Sequence, residues 1–163
     1  LDAGDNCLAL LGRAHRQAVE QALQARGADL SGPAYVAVDS DDLLAQLQVE
    51  GRLDLEHAEA LLTPLMTAPQ RDGKNRVRAV GDLAPALCAA GHIDDALAFE
   101  ALVHRVTVEQ NATVICAYPI QICGRGTMRA LLSVSAEHNA VKFPTQSWVK
   151  SLAPFTLHLA NAA

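Results

Sequence analysis

The chain has 163 residues and a formal net charge of −5, and half of it is hydrophobic although only 4% is aromatic. That length suits one domain, which buries roughly two-thirds of its unfolded surface without needing disulfides or metals. The acidic balance excludes a general nucleic-acid binder, which needs a basic face to displace counterions, and no apolar run approaches the ~20 residues of a spanning helix. With so few aromatics the core has to be Ala, Leu and Val, which suits helices packed on a sheet.

In chain order the pattern alternates. "CLALLG" (7–12) is a continuous apolar run ending in Gly, as in a strand buried on both faces. Residues 13–26 carry a helical stripe of Ala14, Ala18, Val19, Ala22 and Leu23, closed by Gly27. "AYVAVDS" (34–40) is a second strand, whose Asp39 and Ser40 can cap a helix over 41–49 that Gly51 breaks. Asp54 caps a helix over 55–68 with Leu61, Leu62 and Leu65 on one face, and Pro64 is expected to end or kink it.

"RVRAVGD" (76–82) is a third strand, followed by a helix over 83–90 with Pro85 in its first turn and Gly91 beyond its end. Asp94 is expected to cap a long helix, 95–110, with Leu97, Ala101, Leu102 and Val108 on the core face. "ATVICAYP" (112–119) is the fourth strand, stopped by Pro119. A helix near 127–136 and one more strand, "FTLHLA" (155–160), complete the reading.

Strands alternating with helices predict an α/β fold: a mostly parallel central sheet with helices on both faces, a three-layer αβα sandwich. Ligands bind such sheets outside the carboxyl ends of the strands. Those ends are Gly12–Arg16, Asp39–Asp41, Gly81–Asp82 and Tyr118–Gln121, which topology should bring to one edge.

The first of these ends has the shape of a phosphate turn without its chemistry. A phosphate-binding loop needs closely spaced glycines, a Lys and a Ser or Thr. Residues 12–16 offer one glycine, then Arg13, His15 and Arg16. The two guanidinium groups can meet an anion at a helix N-terminus, or simply be solvated first-turn residues. Asp82 stands where a magnesium-ordering carboxylate would, and an N-cap for the next helix explains it equally well. The 6 histidines have no metal-site spacing, and no serine lies in a nucleophile elbow.

The 4 cysteines, Cys7, Cys88, Cys116 and Cys123, lack any Cys-x-x-Cys pair, which suits a reduced, cytoplasmic protein. Cys123, in "CGRG", is the thiol most open to suspicion of reactivity, with an inert loop cysteine the plainer account. The basic residues clustered before the third strand, Arg71 to Arg78, read as a solvated loop. The chain opens on Leu1 rather than Met, as a piece of a longer protein would.

Several stretches taken together resemble one family: "YVAVDSDDLLAQLQVEGRLD", "VRAVGDLAPALCAAGHIDDALAFEALVHRV", "TVICAYP" and "SAEHNAV", with the opening "AGDNCLALLGRAHRQAVEQALQARGADL". They look like the MEDS family of bacterial and archaeal sensory domains, over roughly residues 2–145. The resemblance implies a fold similar to KaiC and RecA-type domains without working Walker motifs. It also implies a cytoplasmic module that senses a small organic molecule, alone or joined to a histidine kinase or transcription regulator. Position by position it implies that Gly81 and Asp82 match the family's Gly-Glu, Glu100 its helix glutamate, Tyr118 its Cys-Ala-Tyr tyrosine, His15 and Arg16 its His-Arg, and His138 its Glu-His. Arg13, beside the His-Arg pair, joins them as a candidate on the same turn. Asp82 is one methylene shorter than the usual Glu, Ala86–Leu87–Cys88 replace common aromatics, and His104 stands where Trp-Asn is common.

The resulting expectation is a non-enzymatic sensory domain with no cofactor, binding a small organic ligand and relaying to a regulatory partner, possible as a homodimer, with no direct nucleic-acid or membrane contact. The alternatives are a degenerate nucleotide-binding module, with Asp82 on magnesium, and a ligand-less dimerisation or docking scaffold.

Overall fold

The computed structural model describes residues 5–67 and 76–118 of the chain. The elements are β1 (Asn6–Leu11), α1 (Arg13–Gln24), β2 (Tyr35–Asp39), α2 (Ser40–Leu47), β3 (Gln48–Val49), β4 (Arg52–Leu53), α3 (Leu55–Thr67), β5 (Val77–Gly81), α4 (Leu83–Ala89), α5 (Ile93–Glu109) and β6 (Thr113–Cys116). Four strands form a sheet in the order β2-β1-β5-β6, and every pairing in it is parallel. The α/β architecture expected from the alternating pattern is what the chain builds.

Residue alternation assigns the two faces. Leu8 and Leu10 of β1 share a face with Val36, Val38, Val77, Ala79 and Val114, and this face carries the hydrophobic core with Leu47, Leu62, Leu87, Phe99 and Val106 from the helices. The opposite face holds Cys7, Ala9 and Leu11 and meets α1, where the Tyr35 hydroxyl donates to Glu20. Right-handed crossovers explain the division: β1 to β2 and β2 to β5 run in opposite directions along the sheet, so their helices take opposite faces. The strand order therefore turns at β1, and the crevice at such a turn is where a doubly wound sheet holds ligands.

Three sequence expectations need correction. The helix after β2 stops at Leu47, and Gln48–Val49 pairs with Arg52–Leu53 in an antiparallel hairpin. Its turn is Glu50–Gly51, both left-handed at φ 51 and 77, a mirror-image turn that fits hairpin twist but lacks the usual Asn-Gly or Asp-Gly signature. Arg52 then grips the start of α5, donating from Nε and Nη2 to Asp95 at 2.8–3.2 Å, while the Leu53 N–H reaches the same carboxylate at 3.4 Å.

Pro64 does not end α3, which continues to Thr67. An interior proline costs about 3 kcal/mol, but Leu62 and Met66 on either side are 0% and 1% exposed, and each buried side chain of that size contributes about 1.5–3 kcal/mol. Burial wins.

The long helix starts at Ile93 with His92, not Asp94, at its N-cap. Its buried face is Ala96, Phe99, Leu102, Val103 and Val106, whereas Ala101 is exposed and Val108 is 68% exposed. At about 100° per residue Val108 lies roughly 200° from Val106, on the far side. Asp54 does cap α3, accepting the His57 N–H. Asp39 caps α2, accepting that of Asp41. The expected helix at 127–136 and strand at 155–160, together with Cys123 and His138, lie outside the described residues.

Candidate functional site

The carboxyl ends of β1, β2 and β5 meet around one buried carboxylate. Asp82 follows β5 and opens α4, yet its side chain makes no capping bond to that helix. It turns instead across the sheet edge. The Gly12 N–H, from the turn after β1, donates to both Asp82 oxygens at 3.2 Å. The Ser40 hydroxyl, from the start of α2, donates to Oδ1 at 2.5 Å. His15 Nδ1, from the first turn of α1, is 2.7 Å from Oδ2. Asp82 and Ser40 are buried while the His15 side chain is 61% exposed. Three strand ends are thus tied to one side chain.

This geometry changes the meaning of the opening turn. A carboxylate has about four lone-pair positions, and Asp82 already serves donors at both oxygens. The negative charge that meets the Gly12 N–H beside the α1 N-terminus is supplied by the chain itself. Gly12 has φ −58 and ψ 150, which any residue adopts, and a Cβ there would meet Ser40, Asp41 and Asp82 at 3.5–3.7 Å, ordinary contact distances. Neither conformation nor space demands glycine.

A cleft of about 600 Å³ opens over this network. Gly12, Arg13, Ala14, His15, Ser40, Asp41 and Asp82 line it, and Pro85, Ala86 and Ala89 of α4 add an apolar wall. The small wall residues follow from the sequence: Ala86 stands where the resemblance expects aromatics. Ser40 and Asp41 were legible only as helix-cap residues, and the convergence of strand ends was the signal that placed their segment at the site.

The other candidates divide. Arg13 lines the cleft. Arg16 does not, and sits 3.9 Å from Glu20 one turn along α1. Gly81 ends β5 and accepts the Ala117 N–H, holding β6 in register. Buried Glu100 and half-buried Tyr118 form a second cluster at the core: the Tyr118 hydroxyl donates to Glu100 Oε1, and the Cys116 thiol donates to Oε2 at 3.3 Å. Burial, and then the Glu100 charge, push both the Cys116 thiol and the Tyr118 phenol well above their ordinary ranges. That keeps the thiol protonated and a poor nucleophile. Glu100 and Tyr118 are not among the residues lining the cleft. Among the described residues no group of three or more His, Cys, Asp and Glu side chains could hold a metal ion, and no helix is long and apolar enough to cross a membrane.

A family model, MEDS (MEthanogen/methylotroph, DcmR Sensory domain), matches residues 1–134, the stretch that holds both clusters. The chain belongs to the MEDS family. Searches of curated proteins and of solved structures gave no match. MEDS is a family of sensory domains, and in this MEDS domain the Gly-acid pair after the third main strand supplies the carboxylate that organises the cleft.

Proposed function

We propose that this MEDS domain is a non-enzymatic sensor that binds a small organic molecule in the cleft over Asp82 and relays its occupancy to a histidine kinase or transcription regulator. One observation carries the reading: polar side chains and the apolar residues of α4 line one open cleft at the point where the strand order turns. Because α1, α2 and α4 all begin at that cleft, an occupant touches three helices at once and can favour one arrangement of them, which a signal requires. The likeness to KaiC- and RecA-type folds without Walker motifs belongs to the same reading, supported by the parallel sheet and by a turn lacking lysine and hydroxyl residues. So do a cytoplasmic location, supported by the free Cys7, Cys88 and Cys116, and possible pairing of two copies.

The nucleotide alternative is disfavoured by a specific feature: magnesium would have to take lone pairs on Asp82 that Gly12, Ser40 and His15 already use. A thermal-shift screen of the full chain against neutral small organic molecules, ATP and ADP with Mg²⁺ tests the choice. An occupant at 100-fold its Kd adds about 2.7 kcal/mol, which raises Tm by roughly 5–10 °C in a chain of this size. Ala86→Trp, which fills the cleft from its apolar wall, should abolish the shift. ATP·Mg²⁺ binding tighter than about 10 μM, weakened by Asp82→Asn, would establish the nucleotide reading instead.

A further inference from the structure

The bonding around Asp82 fixes which ring nitrogen of His15 carries the hydrogen. Both Asp82 oxygens accept the Gly12 N–H and Oδ1 also accepts the Ser40 hydroxyl, so the carboxylate is an acceptor on each side. An ionised carboxylate has nothing to donate. His15 Nδ1, 2.7 Å from Oδ2, therefore carries the hydrogen of that bond. In the neutral ring the lone pair is then left on Nε2, at the ring edge turned away from the buried carboxylate. The His15 side chain is 61% exposed and lines the cleft, and no protein group among the described residues takes Nε2.

We infer that His15 Nε2 is the hydrogen-bond acceptor of this cleft, that Asp82 is the positioning residue holding it in that tautomer, and that the ligand is a neutral molecule with an O–H donor head and a small apolar body. The inference rests on the reading of the cleft as a ligand site and adds the class of ligand. The head meets Nε2. The body lies on Pro85, Ala86 and Ala89, which offer apolar surface without side chains long enough to compete for the head. An anion is the poorer fit despite Arg13. The Gly12 N–H that would greet it is already given to Asp82, and both Asp82 and Asp41 line the cleft.

The test uses the full chain, ¹⁵N-labelled, with phenol, its methyl ether anisole and inorganic phosphate as probes. Long-range ¹H–¹⁵N correlation should show His15 with the hydrogen on Nδ1 in the free protein. Phenol should shift Nε2 and the amides of Gly12, Ser40 and Ala86, and bind at least tenfold more tightly than anisole, which has the same ring and no donor. His15→Ala should erase that preference while Ala86 still responds to both rings. His15→Gln, whose amide oxygen can accept, should restore part of it, and amide spectra of both variants show whether the fold is kept. A hydrogen on Nε2, equal binding of phenol and anisole in the cleft, or phosphate binding there more tightly than phenol overturns the inference and leaves a ligand-binding cleft in place. If none of the three probes perturbs the cleft residues, the sensory reading of this cleft fails and the inference fails with it.

Discussion

Removing the Asp82 carboxylate is the sharpest perturbation of this domain, because three backbone elements depend on it. In Asp82→Ala the Gly12 N–H and the buried Ser40 hydroxyl lose their acceptor together. Each buried polar group left unsatisfied costs about 1–3 kcal/mol. His15, mostly exposed, turns to water and adds little. The sum is about 2–6 kcal/mol, a large share of the 5–15 kcal/mol that holds a typical domain folded. Asp82→Asn should cost less, about 1–2 kcal/mol. Its amide oxygen still accepts from Ser40, and its N–H₂ can donate to His15 once that ring moves its hydrogen to Nε2. Equilibrium urea unfolding of the full chain measures both, provided the m-value is unchanged so that the midpoint shift reports stability. A loss below about 1 kcal/mol for Asp82→Ala, or equal losses for Ala and Asn, would refute the view that this side chain joins three strand ends through three donors.

Other outcomes follow from the same geometry. Gly12→Ala should change stability by less than about 1 kcal/mol, since φ −58 suits any residue and the added Cβ meets its neighbours at 3.5 Å or more; a phosphate-loop glycine would not tolerate it. Val106→Ala should cost about 2 kcal/mol, whereas Val108→Lys should stay within about 0.5 kcal/mol in the same urea assay, because Val106 is 1% and Val108 68% exposed. On the alkaline side, the Cys116 thiol and Tyr118 phenol are raised in the folded chain by burial and then by Glu100. The folded state thus holds protons that the unfolded state releases, so stability should fall as pH rises above about 8.5. Glu100→Gln should lessen that fall without abolishing it, because burial is the larger cause. On the acid side, the Arg52 hydrogen bonds hold the Asp95 carboxyl below its usual range, against the opposing effect of burial. Its contribution is complete above the ordinary Asp range and is lost as pH falls through the lowered folded value, so Arg52→Ala should flatten that part of the acid-unfolding curve.

Much of the fold was open to reading along the chain. The β1 run "NCLALL", the strands at 35–39 and 77–81 and the caps at Asp39 and Asp54 all lie near their expected positions. The reason is physical: a period of two or 3.6 in apolar residues, and a side chain that caps its own helix, are local properties that neighbours in sequence already determine. Where tertiary burial outweighed a local preference, local reasoning failed. Pro64 stays within a helix because Leu62 and Met66 are buried beside it, and α5 is turned by Phe99 and Val103 rather than by Leu97 and Val108. The Glu50–Gly51 hairpin was missed because its turn lacks the common residues and its hold on Asp95 comes from 43 positions away.

The sequence by itself determined the layered α/β plan, the edge where strand ends meet, and the absence of phosphate-loop chemistry at Gly12. It also carried the family resemblance. Only the tertiary structure decided what replaces that chemistry. An aspartate legible as either an N-cap or a magnesium ligand holds the N-cap position of α4 without a side-chain cap, since Gly12 and His15, 70 and 67 residues away, and Ser40, 42 away, converge on its oxygens. A carboxylate's role is set by the donors around it, and those donors come from chain segments that only the packed sheet brings together.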